Sequence, residues 1–232
     1  MVTKAEMAKC IEVTLLKPGA GAEEIDQFCK EARLGGFLGA VVLPEYVARA
    51  VSLLKGSDVK VATVVGFPDG RGTPEDKARD ASAAARDGAQ QLHVVVDHSS
   101  VKAGDYGRVA AEMEAVKRAS AAAASEKGNP APEIVAVLET CLLSGPERVE
   151  ACKAALQGGA VSVQAGTGAG PRGAMAGEIM ALKKAAGASV PVRAAGGITG
   201  STTARAFIDA GASVLWSEKG MAILKEVELK YF

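Results

Sequence analysis

The sequence predicts an α/β fold, a single (β/α)8 barrel, and three observations lead there. Eight runs of apolar β-formers recur along 232 residues. Amphipathic, helix-like stretches separate them, which is the pattern of parallel βα units. The runs themselves are nearly continuous in apolar residues, so both strand faces are buried, as in a parallel sheet closed on itself. An open doubly wound sheet is the alternative arrangement. Against a dinucleotide-binding version of it, no G-x-G-x-x-G follows the first run, and the glycine-rich Gly166-Thr167-Gly168-Ala169-Gly170 comes only after the sixth.

Taken in order, the strands are expected at residues 11–16, 38–43, 59–65, 92–96, 134–138, 161–163, 190–192 and 213–215, and the helices at 22–34, 44–54, 73–86, 105–124, 145–156, 174–186 and 201–210. Helix starts are written into the chain. Thr73 is an N-cap followed by Pro74 at the first helical position and the acids Glu75 and Asp76, and Ser144, Gly145, Pro146 and Glu147 repeat the arrangement. Helix ends are marked too. Asp87-Gly88-Ala89, Gly158-Gly159-Ala160 and Ala210-Gly211-Ala212 each place a glycine where a helix stops and a small residue where the chain enters the barrel wall. Residues 128–132 read as a surface loop before the fifth strand, and no linker or low-complexity segment divides the chain, so residues 1–232 are expected to form one domain.

Composition narrows the functional classes. Apolar residues make up 48% and aromatics 4%, with 27 glycines, a mix suited to buried strands and closely packed small-residue helices. Lys plus Arg and Asp plus Glu both total 27. With no basic run interleaved with aromatics, nucleic acid is not an expected partner. No apolar stretch reaches the roughly 18 residues of a membrane span, and residues 1–10 lack a hydrophobic signal core, so a cytoplasmic protein without membrane attachment is expected. Cys10, Cys29, Cys141 and Cys152 are scattered, without a C-x-x-C pair or clustered histidines. Reduced thiols and no bound metal or cofactor are expected.

Four motifs in register resemble the deoxyribose-phosphate aldolase family over nearly the whole chain. Thr14-Leu15-Leu16-Lys17 is similar to that family's first strand, and Val61-Ala62-Thr63-Val64-Val65-Gly66-Phe67-Pro68-Asp69-Gly70 to its third strand and Gly-Phe-Pro turn. Leu138-Glu139-Thr140 resembles the end of the fifth strand and Ala195-Gly196-Gly197-Ile198 the seventh with its glycine pair. The resemblance implies a TIM barrel and reversible aldol cleavage of 2-deoxyribose 5-phosphate to acetaldehyde and glyceraldehyde 3-phosphate through a lysine Schiff base. Such chemistry needs an unprotonated amine, kept so by a second cation nearby, and a carboxylate relay for protons.

At the positions that the resemblance implies are catalytic, this chain differs. The Lys-Thr-Ser-Thr-Gly run of the sixth strand corresponds to Gln164-Ala165-Gly166-Thr167-Gly168, so the imine lysine is replaced by Gln164. A carboxamide nitrogen is delocalised into its carbonyl and forms no imine. The second lysine is replaced by Arg193, which keeps a positive charge but is not deprotonated to act as a nucleophile. The relay aspartate of the fourth strand is replaced by His93. In the phosphate-binding turn of the eighth strand, Leu215-Trp216-Ser217-Glu218-Lys219-Gly220 sets Trp216 where glycine lets the backbone approach, and Glu218 where a dianion would sit.

No residue is therefore expected to catalyse aldol cleavage. Glu12, Thr14, His93, Glu139, Gln164, Thr167 and Arg193 are expected around the pocket, with Gly196, Gly197, Trp216, Ser217 and Glu218 forming a degraded phosphate site of weak or no sugar-phosphate affinity. Arg193 is expected to pair with Glu139 or Glu218, because an unpaired buried guanidinium is costly. His98 reads as a loop residue, and Lys17, Lys102 and Lys219 as solvated lysines, of which Lys219 is the one candidate for a displaced nucleophile. The expected role is a binding scaffold for a protein partner, with the cytoskeleton, actin included, suggested by analogy with aldolases as a class. Three alternatives stand beside it: an enzyme of non-imine chemistry using His93 and Arg193, residual carbon–carbon lyase activity, and a small-molecule sensor. A monomer or homodimer is expected.

Overall fold

A computed structural model describes residues 2–229 of the chain; Met1 and residues 230–232 lie outside the described residues. Eight parallel strands close into a barrel in chain order, β1 (Ile11–Leu15), β2 (Gly39–Val42), β3 (Lys60–Val65), β4 (Gln91–Val95), β5 (Glu133–Val137), β6 (Ser162–Gln164), β7 (Val192–Ala195) and β8 (Val214–Ser217), with β8 returning to pair with β1. The helices are α1 (Lys4–Ala8), α2 (Ala22–Gly35), α3 (Val47–Leu54), α4 (Pro74–Arg86), α5 (His98–Lys102), α6 (Tyr106–Glu126), α7 (Gly145–Gln157), α8 (Ala176–Ala186), α9 (Ser201–Asp209) and α10 (Gly220–Leu229). The fold is thus a (β/α)8 barrel, and the open sheet is set aside.

The last three strands lie one to three residues further toward the C-terminus than the apolar pattern suggests. That pattern ends where polar side chains begin. Gln164, Arg193 and Ser217 are nonetheless strand residues, and all three are buried. The barrel interior tolerates them because each has a hydrogen-bonding partner there. Short helices were the other gap. α1 is announced by a Thr3/Glu6 capping box, and α5 by the Asp97 carboxylate accepting from the Ser99 N–H, so His98 opens a helix rather than lying in a loop. The expected helix 44–54 is split into a 3₁₀ turn at Pro44–Tyr46 and α3.

Two apolar bodies hold the barrel, and a small third one, Ala85 with Ala123 and Ala124, joins α4 to α6. Ile11, Val42, Leu92, Ile134, Ile179 and Leu215 belong to the large one, between the strands and the helical ring. The second fills the upper lumen with Val41, Ala62, Val64, Ala195 and Trp216, against which Leu16, Leu43 and Phe67 pack. The capping boxes at Thr73/Asp76 and Ser144/Glu147 are formed. Gly88, Gly159 and Gly211 take φ of 94°, 96° and 104°, which explains glycine at these helix-to-strand turns. No helix among the described residues is long and apolar enough to cross a membrane.

Candidate active site at the barrel mouth

Strand alternation points Glu12 of β1, His93 of β4, Gln164 of β6, Arg193 of β7 and Trp216 of β8 into the lumen, where they meet as one buried cluster. Glu12 is its hub. One carboxylate oxygen receives Arg193 Nη1 at 2.6 Å, the other receives Trp216 Nε1 at 2.8 Å, and His93 Nε2 lies 3.5 Å from the latter oxygen. Gly39 on β2 leaves room for this hub, since a Cβ there would come within 3.2 Å of Glu12 Cγ. Arg193 also donates from Nε to Ser162 Oγ at 2.9 Å. The rings of His93 and Trp216 sit 4.5 Å apart at 55°.

Burial works to raise the Glu12 pKa, but the Arg193 cation and the hydrogen bonds from Arg193 and Trp216 outweigh it, leaving the carboxyl below its usual range. Burial pushes the His93 imidazole down to about 3, with the Glu12 carboxylate only partly opposing. His93 is therefore neutral at pH 7 and the cluster reduces to one anion facing one cation. Gln164 donates from Nε2 to the Gly166 carbonyl at 2.8 Å, and its carboxamide faces the His93 ring. Neither His93 nitrogen nor Gln164 Oε1 has a partner of good hydrogen-bond geometry.

Above this cluster a cavity of about 340 Å³ opens at the C-terminal ends of the strands, where barrel sites are built from βα loops. Thr14, Phe67, Thr167, the segment from Gly196 to Thr199 and the segment from Trp216 to Lys219 are among its walls. Of the seven residues expected around the pocket, only Thr14 and Thr167 line it. Glu12, His93, Gln164 and Arg193 are at most 4% exposed and are not among the residues that line the cavity. All five residues expected in the phosphate turn, Gly196, Gly197, Trp216, Ser217 and Glu218, do line it.

Arg193 pairs with Glu12, and not with Glu139 or Glu218 as expected, because Glu12 shares its lumen while Glu218 lines the mouth and Glu139 is taken by Thr167. Glu139 instead braces the loop after β6. Its carboxylate accepts from the N–H of Thr167 at 2.8 Å, from the Thr167 hydroxyl, and from Cys141 Sγ at 3.2 Å. Its φ of 46° makes it the one non-glycine residue with positive φ among those described, a strain held by these bonds. Ser217 is likewise occupied, donating to the Ile198 carbonyl at 2.6 Å and accepting the Lys219 N–H. Lys17 and Lys102 pair with Glu24 and Glu147 at the surface, while the exposed Lys219 lines the cavity.

Sequence reasoning missed two buried charge groups. Lys77 of α4 donates to Glu112 Oε2 of α6 at 2.8 Å and to the Val95 carbonyl at 2.7 Å, with both side chains no more than 2% exposed. Glu178 of α8 takes Arg148 at 2.8 Å, Arg172 at 2.6 Å and the Thr140 hydroxyl at 2.9 Å. Each charged pair is 30 or more residues apart except Arg172 and Glu178, and the Val95 carbonyl is 18 residues from Lys77, so no local spacing rule reveals them.

No protein-family model matches the chain. Whole-chain relatives do. It is 40% identical over 218 residues to the deoxyribose-phosphate aldolase of Brevibacillus brevis, covering 94% of this chain and 95% of that one. It is 38% identical over 220 residues to that of Thermoanaerobacter sp. (strain X514), covering 95% and 96%. Among solved structures, the aldolase QR15 superposes with a TM-score of 0.88 at 30% identity, covering 97% of each chain. The deoxyribose phosphate aldolase of Aeropyrum pernix gives 0.88 at 24% identity, covering 98% of this chain and 93% of that one, a likeness of fold. With up to 40% identity over nearly the full length of these relatives, and the same barrel, the chain belongs to the deoxyribose-phosphate aldolase family.

Proposed function

We propose that this member has left imine-dependent cleavage of 2-deoxyribose 5-phosphate and persists as a binding barrel. The reading rests on Gln164, which the motif resemblance sets at the family's imine-lysine position and which is a fully buried carboxamide tied to the Gly166 carbonyl. An amide cannot condense with an aldehyde, and Arg193, engaged by Glu12, offers no free amine in its place. The mouth supports the same conclusion for phosphate, because Glu218 sets an anion on the cavity wall and Trp216 fills the floor. Acid–base chemistry by His93 is poorly served as well, since the ring is neutral, buried and outside the cavity.

A second reading, carbon–carbon lyase activity through a displaced amine, rests on Lys219, the lysine on the cavity wall. The deciding experiment follows acetaldehyde release from 2-deoxyribose 5-phosphate in one incubation and, in a parallel one, adds borohydride to trap any imine and maps adducts by mass spectrometry. No turnover and no trapped lysine is the expected result. Turnover with an adduct on Lys219 that vanishes in Lys219→Met would establish the second reading and overturn the first. For the scaffold role, pelleting with filamentous actin is the direct assay of the cytoskeletal version, and a protein that stays in the supernatant rules that version out.

A further inference from the structure

Trp216 belongs both to the cavity above and to the buried cluster below. Seen from the mouth, its side chain is floor. Seen from the lumen, it is the residue whose N–H holds Glu12 and whose ring lies 4.5 Å from that of His93. It is 4% exposed although it borders a cavity of about 340 Å³, so it presents little more than an edge to solvent while its bulk is packed inside the barrel. Of the cluster, Trp216 lines the cavity, whereas Gln164, Arg193, His93 and Glu12, at 0%, 4%, 0% and 0% exposure, do not. The apolar residues Val41, Ala62, Val64 and Ala195 pack around it and complete the seal.

We propose that Trp216 is a plug that separates the mouth cavity from the interior positions of the barrel, and so determines what can reach them. Chemistry in this barrel is then blocked twice. One block is the missing amine at position 164, and the other is the closed passage to it. Restoring the amine alone leaves an aldehyde outside the plug; restoring it together with an open floor brings the two into contact. The indole is pinned by its bond to Glu12, whose other oxygen is anchored to Arg193, so a side-chain rotation that opened the floor would leave a buried carboxylate oxygen without its donor. The passage is therefore closed in nearly all molecules, and a reaction that needs it open is slowed by that population ratio.

The test compares Gln164→Lys alone with Gln164→Lys combined with Trp216→Gly or with Trp216→Phe, using acetaldehyde and borohydride at a pH near 9 and mass spectrometry to locate the adduct. Adduct at position 164 is expected to form at least roughly tenfold faster with Trp216→Gly than in the single variant, while Trp216→Phe, which keeps an aromatic plug, stays near the single variant. Equal rates in all three would overturn the proposal. Should the buried amine prevent folding, Gln164→Cys carries the same question without a new charge. Its alkylation by a small thiol reagent is then compared with and without Trp216→Gly, with Cys29 and Cys152, buried at 2% and 0%, as internal reporters of general loosening. Faster labelling at position 164 with unchanged labelling of those two supports the plug; no change at 164, or parallel acceleration at all three, refutes it. These results are independent of whether Lys219 forms an adduct, so the two proposals fail separately.

Discussion

Glu12 shows what a single lumen residue does here. It neutralises Arg193 and orients Trp216, and removing it leaves a guanidinium 4% exposed with no counter-charge. Glu12→Gln should cost about 3–5 kcal/mol of unfolding free energy, the usual penalty for breaking a buried pair from one side. Urea denaturation measures it, and a cost under 1 kcal/mol would show that water reaches the cluster. His93 gives a pH signature. Its pKa is about 3 in the fold and about 6.5 unfolded, so the unfolded chain binds the extra proton between those values and stability falls as pH drops through that window. The slope is about 1.4 kcal/mol per pH unit for one such proton. Urea midpoints measured from pH 7.5 down to 5 should therefore decline, and His93→Phe should flatten that decline. The residue identities were legible in the sequence; their partners were not. Arg193 was recognised as a charge needing a mate, yet its mate lies 181 residues away on a strand that becomes its lumen neighbour only when β8 closes on β1.

Secondary structure was most legible where local rules govern it. The N-caps at Thr73 and Ser144 and the glycine turns at Gly88, Gly159 and Gly211 follow from side-chain reach and positive φ, and all were predictable one segment at a time. Thr73→Ala removes the acceptor for the Asp76 N–H and should lower stability by about 1 kcal/mol, readable as a shifted urea midpoint with unchanged slope. The pairing of α4 with α6 through Lys77 and Glu112 was invisible, because nothing in the α4 sequence distinguishes a lysine bound for solvent from one that ends 1% exposed. Lys77→Met should cost about 3–5 kcal/mol by stranding Glu112, whereas Lys77→Met with Glu112→Leu should recover most of it. A double variant as unstable as the single one would mean that the Val95 carbonyl, and not the carboxylate, is what Lys77 serves. Strand ends failed for a related reason: apolar periodicity cannot see that β6, β7 and β8 run on through Gln164, Arg193 and Ser217, whose side-chain donors find their acceptors inside the closed barrel.

For the whole molecule, the ring of eight strands leaves no free sheet edge, and each helix packs on the shared core. We propose that the chain unfolds as one unit. Fluorescence of its single tryptophan, which reports the lumen, and far-UV circular dichroism, which reports the helical ring, should then give coincident urea transitions. Separated transitions would mean that barrel and helices come apart in stages. The fold class was readable from repetition alone, since eight βα units with doubly buried strands have few other ways to close.

The five-membered lumen cluster also bears on ancestry. Because Glu12 serves Arg193 and Trp216 together, and Gln164 shares their space with His93, exchanging any one of them alone strands a charge or opens a void. A lineage carrying this barrel would have to change several of these positions together, because a change at one alone is less stable than the matched set before or after it, so the five substitute as a group.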